Sequence, residues 1–170
     1  MDLSKSIRQI PDWPKKGILF YDITTMLGDA AAFKWAIDQV AAHYQGQRID
    51  LVVSVEARGF IFGGALAYTL GAGFVPARKP GKLPWEKIRA EYALEYGTDA
   101  IEMHRDAIRP GQRVLIFDDV LATGGTIAAT ASLVRRLGGE VVGVAFLIDL
   151  TFLKGREKLK GMDAFALIQY

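Results

Sequence analysis

The chain has 170 residues, 51% of them hydrophobic and 24% charged, and its 21 basic and 19 acidic side chains leave a formal charge of +2. That length suits one core burying roughly 70% of the unfolded surface, and the near-neutral balance carries no electrostatic footprint of a nucleic-acid binder. The absence of cysteine excludes a disulfide framework and thiolate metal sites; Met1 to Pro14 lacks the apolar core of a secretory signal, so a soluble cytoplasmic protein is expected.

In chain order, Ser4 to Ile10 reads as a short helix. Pro11, Pro14 and Gly17 then make a stiff, irregular connector into Ile18-Leu19-Phe20-Tyr21-Asp22, an arm suited to folding over a site. Gly28-Asp29 offers a helix start, and Phe33, Ile37, Val40 and Tyr44 recur at helical spacing, so a helix is expected from Ala30 to Tyr44 with its apolar stripe in the core. His43 within it reads as a surface or packing residue. Leu51 to Val55 is the pattern of a buried strand, followed by Glu56-Ala57-Arg58-Gly59. The stretch from Gly59 to Ala77 is uncharged and contains Gly59-x-x-x-Gly63, features of a membrane span. Its glycines and Pro76 instead divide it into a helix to about Leu70, a turn, and a strand at Phe74 to Ala77, which fits a βαβ unit.

From Arg78 to Ala107 the helical period disappears. Ala90, Tyr92, Leu94 and Tyr96 alternate with Arg89, Glu91, Ala93 and Glu95, which is strand periodicity, and Gly97-Thr98-Asp99 turns the chain into Ile101 and Met103. An excursion of this length is expected to act as a lid. Arg78, Lys79 and Lys82 beside Pro80-Gly81 form a basic cluster suited to a polyphosphate or, equally, to a solvated loop; His104 is a further candidate member. Arg109-Pro110-Gly111 is a turn, Val114 to Phe117 a buried strand, Ala128 to Leu137 a helix ended by Gly138-Gly139, and Val141 to Ile148 another buried strand. Asp149-Leu150-Thr151 stands at its end, Lys154 to Lys160 reads as a short polar helix, and Ala164 to Ile168 closes the sheet. The alternation of strand and helix predicts an α/β fold with a mainly parallel central sheet flanked by helices.

The chemistry concentrates in Val114 to Thr126, VLIFDDVLATGGT. Ala122, Thr123, Gly124, Gly125 and Thr126 can direct successive backbone N–H groups at an anion from a helix N-terminus, which suits one phosphate. Asp118 and Asp119 would repel that phosphate and must address hydroxyls or a metal; a ribose 5-phosphate offers both a phosphate and two adjacent hydroxyl donors. A P-loop would carry lysine where Thr126 stands, and a dinucleotide fingerprint would carry three spaced glycines. A buried strand ending in an Asp-Asp turn and helix cap is the plain alternative. Glu56, Arg58, Asp118 and Asp119 are expected on one edge of the sheet, where ligands of α/β proteins bind; Arg58 suits either a ligand contact or a structural ion pair.

Taken with EARGF at Glu56 to Phe60, RKPGKLP at Arg78 to Pro84, LEYGTD at Leu94 to Asp99 and LKGREKL at Leu153 to Leu159, this stretch makes nearly the whole chain resemble the adenine phosphoribosyltransferases, members of the type I phosphoribosyltransferase family. The resemblance implies one domain over residues 1–170, with a small N-terminal hood at 1–27, a flexible catalytic loop at 78–106, Mg²⁺ and a homodimer. It implies a purine-salvage pentosyltransferase that uses 5-phosphoribosyl 1-pyrophosphate (PRPP) and adenine to give AMP and pyrophosphate. Carried over residue by residue, it assigns catalysis to Glu95, Tyr96 and Arg58 and the ribose hydroxyls to Asp118 and Asp119, directly or through Mg²⁺ held mainly by substrate. Ala122 to Thr126 take the 5′-phosphate. Leu19, Phe20, Arg58 and Leu150 hold adenine, with Phe20 and Leu150 as the sandwich, and Arg78, Lys79 and Lys82, with His104, face pyrophosphate. Tyr21 departs from the basic residue that several relatives carry beside the phenylalanine. Two rivals are a transferase for another purine base and a regulator that keeps the fold as a sensor. A 6-oxopurine pocket calls for a donor, yet Thr151 and Phe152 rather than a lysine follow Leu150. A regulator would need a nucleic-acid-reading module that the short arm before Phe20 has no room for.

Overall fold

The computed structural model describes residues 1–94 and 97–170. Five strands, β3 (Leu51–Val55), β4 (Gly73–Ala77), β7 (Arg113–Leu121), β8 (Glu140–Asp149) and β9 (Ala164–Gln169), form one parallel sheet in the order β4-β3-β7-β8-β9. The three middle strands are covered on both faces, which is why they read as continuous apolar runs rather than as alternating ones. Successive side chains of each strand go to opposite faces. Val52, Leu115, Phe117, Ala145 and Leu147 pack beside α2 (Ala30–His43) and α3 (Gly59–Leu70). Val53, Val55, Ile116, Val144 and Phe146 pack beneath α4 (Gly125–Arg136). Each valine, leucine, isoleucine or phenylalanine among them contributes roughly 1.5–3 kcal/mol by leaving water.

The glycines of Gly59-x-x-x-Gly63 serve the approach of α3 to this sheet. A Cβ on Gly63 would stand 2.4 Å from Ser54 Cβ, and one on Gly59 3.2 Å from a carboxylate oxygen of Asp118. The resulting closeness sets Arg58, at the N-terminal end of α3, beside the end of β7. Among the described residues no helix is long and apolar enough to cross a membrane.

Four expectations need correction. In place of a helix over Ser4 to Ile10, a 3₁₀ turn at Leu3–Ser6, capped by the Asp2 side chain, leads into β1 (Arg8–Pro11). Seven residues are too few for a stable lone helix, Pro11 favours extended backbone before it, and β2 (Leu19–Asp22) supplies an antiparallel partner. The central strand does not stop at Phe117 but continues to Leu121, so Asp118 and Asp119 lie within it, held by pairing with β8. The following helix starts at Gly125 rather than Ala128, because Gly124 in the left-handed region, at φ +78°, completes the turn that begins after Leu121. Lys154 to Lys160 is not one helix: Lys154 takes φ +54° and separates two 3₁₀ turns, Thr151–Leu153 and Gly155–Leu159.

The excursion after Arg78 is a hairpin of β5 (Lys87–Ala93) and β6 (Thr98–His104), anchored to the main sheet through backbone hydrogen bonds between Arg78 and Glu102. A short helix, α1 (Thr24–Leu27), joins the hood strands to α2.

Candidate active site

The carboxyl end of β7 builds the site. Beyond Leu121 the chain turns through Ala122, Thr123 and Gly124 into α4, and no side chain among the described residues caps that helix. The first N–H groups of α4 stand at the positive end of the helix dipole, where an outside acceptor is favoured. Asp118, Leu121 and the loop to Ile127 enclose a hollow of about 60 Å³, room for one compact group. Gly155 supports the loop from below: a Cβ on Gly124 would lie 2.4 Å from the Gly155 carbonyl oxygen, and one on Gly155 2.3 Å from that of Ala122. Tyr92 and Ala93 of the hairpin lie against Gly125, with a ring carbon of Tyr92 3.0 Å from the position of a Gly125 Cβ. The hairpin thus reaches the same loop.

The two aspartates do not occupy equivalent positions. Asp118 accepts a 2.9 Å hydrogen bond from the Asp119 amide. Asp119 is buried and forms a 2.6 Å ion pair with Arg58 Nε, yet its Oδ2 has no aligned hydrogen bond among the described residues. Burial holds Asp118 well above the ordinary carboxylate range, and the adjacent Asp119 adds to the effect. Burial also raises Asp119, with Arg58 opposing. Two adjacent carboxyls, one with an incompletely satisfied oxygen, fit a hard cation shared with substrate oxygens; among the described residues no group of three metal-binding side chains forms a cage of protein alone.

Of the two roles left open above for Arg58, the structure contains the ion pair, with Asp119. Besides pairing with Asp119, its guanidinium carbon lies 5.3 Å from the centre of the Phe20 ring, which in turn meets the Trp13 ring edge-on at 4.3 Å. One arginine thereby connects the hood to the acid pair. Leu19 stands 42% exposed beside Phe20 in β2. Leu150, immediately after β8, donates its amide to the Leu121 carbonyl at 2.9 Å, which fixes it next to the start of the phosphate-type loop. Tyr21 stacks on Tyr170, with ring centroids 4.2 Å apart.

Glu56 organises the basic cluster. Its carboxylate takes Arg78 Nη2 at 3.1 Å, lies 3.4 Å from Lys82 Nζ, and accepts from the Lys79 amide. Burial works against ionisation of Glu56, but these partners outweigh it and hold the group below its ordinary range. The Lys79 ammonium turns instead to Asp99 and to Tyr92 Oη, the latter at 2.6 Å. Lys79 holds the Asp99 carboxyl low. His104 stands opposite Lys87 in the hairpin register, and its buried Nε2 has no hydrogen-bond partner among the described residues. Glu95 and Tyr96 lie outside the described residues; Leu94 and Gly97 on either side are joined by a 3.0 Å backbone hydrogen bond.

Sequence reasoning set Glu56 on the ligand-binding edge without giving it a partner, and named neither Asp99 nor Trp13 as a site member. For Glu56 a signal existed, an acid directly after a buried strand with a basic run to neutralise; for Asp99 and Trp13 only tertiary contact reveals the role.

Residues 24–163 match the phosphoribosyl transferase domain family. An adenine phosphoribosyltransferase of Acidobacterium capsulatum is 59% identical over 168 residues, covering 99% of this chain and 93% of the relative. The crystal structure of an adenine phosphoribosyltransferase from Thermoanaerobacter pseudethanolicus superposes with a TM-score of 0.96 at 57% identity, covering 99% of this chain and 98% of that one. That of the Saccharomyces cerevisiae adenine phosphoribosyltransferase, complexed with an imino-altritol bisphosphate and adenine, superposes at 0.93 with 42% identity, covering 98% and 96%. An acid pair on a parallel strand, an uncapped helix start and an arginine reaching an aromatic hood accord with these likenesses along the whole chain, and the chain belongs to the phosphoribosyl transferase domain family, among the adenine phosphoribosyltransferases.

Proposed function

We propose that this chain is an adenine phosphoribosyltransferase of purine salvage, joining adenine to the ribose of PRPP and releasing pyrophosphate. The observation that carries the reading is the run of Asp118 and Asp119 into the uncapped start of α4, with Arg58 spanning from Asp119 to Phe20. In it, the amides from Ala122 to Thr126 hold the 5′-phosphate, and the two aspartates accept from the ribose hydroxyls. Adenine stacks between Phe20 and Leu150, with Leu19 backbone groups reading the edge that bears the 6-amino group.

The N9–C1′ bond forms as the bond from C1′ to the pyrophosphate oxygen breaks, and the electron pair leaves with pyrophosphate. Arg58, Arg78 and Lys82 receive the growing negative charge, with Lys79 beside them. This requires Arg78 and Lys82 to exchange Glu56 for substrate oxygens. Glu95, with Tyr96 on the same loop, takes the proton from N7 of the base, a step typically worth about 10²–10⁴-fold. When bound, Mg²⁺ would be held mainly by PRPP, with Asp118 and Asp119 beside it, and would supply further neutralisation of the leaving group. The hairpin and loop over residues 78–106 close to exclude water, because hydrolysis of the activated ribose competes with transfer. Residues 1–27 act as the hood of a single functional domain. A homodimer fits the outer face of α3, where Ile61 and Tyr68 are exposed, and a cytoplasmic location fits a salvage enzyme.

The test is pyrophosphate release with PRPP, Mg²⁺ and each purine base in turn. Adenine alone should support turnover. Equal or better activity with a 6-oxopurine would move the assignment to another base, and no activity with any base would move it to a regulator.

A further inference from the structure

Asp149 closes β8 and is 1% exposed, the most deeply buried acid near the site. Its Oδ2 receives Arg156 Nε at 2.6 Å, and Arg156 also donates from Nη1 to the Ala164 carbonyl at 2.7 Å. Two features are unlike a pair that serves stability alone. Asp149 Oδ1 is buried without a hydrogen-bond partner among the described residues, so the pair is under-satisfied where packing with apolar residues would be cheaper. The neighbours of both partners are also residues of the site. Asp149 directly precedes Leu150, whose amide is bound to the Leu121 carbonyl. Arg156 directly follows Gly155, whose backbone abuts the Ala122 carbonyl and Gly124 so closely that no Cβ fits at either glycine.

We infer that the Asp149–Arg156 pair is a positioning clamp that fixes the spacing between the base wall at Leu150 and the phosphate loop at Ala122 to Gly125. It rests on the site assignment proposed above. The transfer needs N9 of the base and C1′ of the ribose at reacting distance, and the two substrates are held by different segments. Leu150 belongs to the end of β8, and the phosphate loop follows β7. The backbone bond from Leu150 to Leu121 ties them on one side, and the ion pair, through Gly155, ties them from beneath. A neutral or shortened partner at either position lets Gly155 shift, and the loop moves with it relative to Leu150. Asp149 and Arg156 touch neither substrate in this arrangement and act through Leu150 and Gly155.

The experiment compares Arg156→Lys, which keeps the charge and loses the planar fork, with the double variant Asp149→Leu/Arg156→Met, which replaces the pair by apolar side chains of similar size and keeps the interior free of a lone charge. Gly124→Ala, which displaces the phosphate loop directly, runs alongside. Steady-state kinetics with PRPP and with adenine varied separately, and melting temperatures, are measured for each. Because a misplacement of about 1 Å costs on the order of 10²-fold in rate, kcat with both substrates saturating is expected to fall at least about tenfold in both clamp variants, including the one that melts at or above the wild-type temperature. A purely stabilising pair would leave kcat unchanged whatever the melting temperature, and that result, with Gly124→Ala still lowering kcat/KM for PRPP, overturns the clamp alone. If Gly124→Ala also leaves kcat/KM for PRPP unchanged, the phosphate-loop assignment fails and the clamp falls with it.

Discussion

Substitution of Gly124 by alanine tests the phosphate loop at its tightest point. Gly124 has φ +78°, where an L side chain costs about 1–2 kcal/mol. The new Cβ would also meet the Gly155 carbonyl oxygen at 2.4 Å, against the 3.0–3.4 Å of even tight real contacts. The obstructing atom is backbone and cannot rotate away, so the two segments must part by about 0.6–1.0 Å, with an overpacking cost of about 1–3 kcal/mol. Together these predict a loss of about 2–5 kcal/mol and, for a chain of this size, a melting temperature lower by roughly 4–20 °C. A shift of this size at a substrate-positioning loop predicts a fall in kcat/KM for PRPP between about tenfold and 10²-fold, or about 1.4–2.7 kcal/mol of transition-state stabilisation. Differential scanning calorimetry and initial rates at saturating adenine give the two quantities. Gly28→Ala is the control, since its Cβ would sit 3.5 Å from the Thr24 carbonyl at φ −75° and should be neutral or stabilising by up to about 1 kcal/mol. A Gly124→Ala protein with wild-type kcat/KM would refute the placement of the 5′-phosphate in this loop.

Asp118→Asn, alone and with Asp119→Asn, should weaken PRPP binding at least tenfold by isothermal titration while raising the melting temperature of the free protein at pH 7. The sign follows from the raised carboxyls: between the ordinary carboxylate range and its elevated folded value the native state holds more protons than the unfolded one, so stability falls as pH rises through that window. A lower melting temperature for Asp118→Asn at pH 7 would contradict that burial cost. Glu56 has the opposite sign, its stabilisation being present above the ordinary range and lost as pH falls through the lowered folded value. Glu56→Gln should therefore flatten the acid limb of the stability profile and raise KM for pyrophosphate in the reverse reaction, as Arg78 and Lys82 lose their alignment; an unchanged KM would remove Glu56 from the site. Glu95→Gln should lower kcat at least about tenfold with little change in PRPP affinity, and an unchanged kcat would take Glu95 out of the proton transfer.

Legibility in the sequence followed the range of the forces involved. Val114 to Phe117 and Leu51 to Val55 declared themselves as buried strands because burial on both faces demands apolar side chains at every position. The glycine-threonine loop after Asp118-Asp119 pointed to an anion site because few other residues let backbone amides converge, and the structure sets that loop at the start of α4. Ser4 to Ile10 was misread as a helix: β1 exists only because β2 pairs with it, a contact that no local window encodes. The same limit applied to Arg58, whose ion pair with Asp119 and contact with Phe20 join residues far apart in the chain.

The amino-acid sequence by itself determined the strand-helix alternation, the parallel sheet and the place of the glycine-threonine loop between them, since these depend on hydrophobic period, glycine and charge within a few residues of one another. Only the tertiary structure decided that Glu56 gathers Arg78 and Lys82, that Lys79 turns to Asp99 and Tyr92, and that Gly155 underlies Gly124. Those partners are separated by tens of residues, and a carboxylate in a sequence carries no mark of the base it will meet. The meeting is set by which strands lie side by side, and that order, β4-β3-β7-β8-β9, arises from burial of the whole sheet at once.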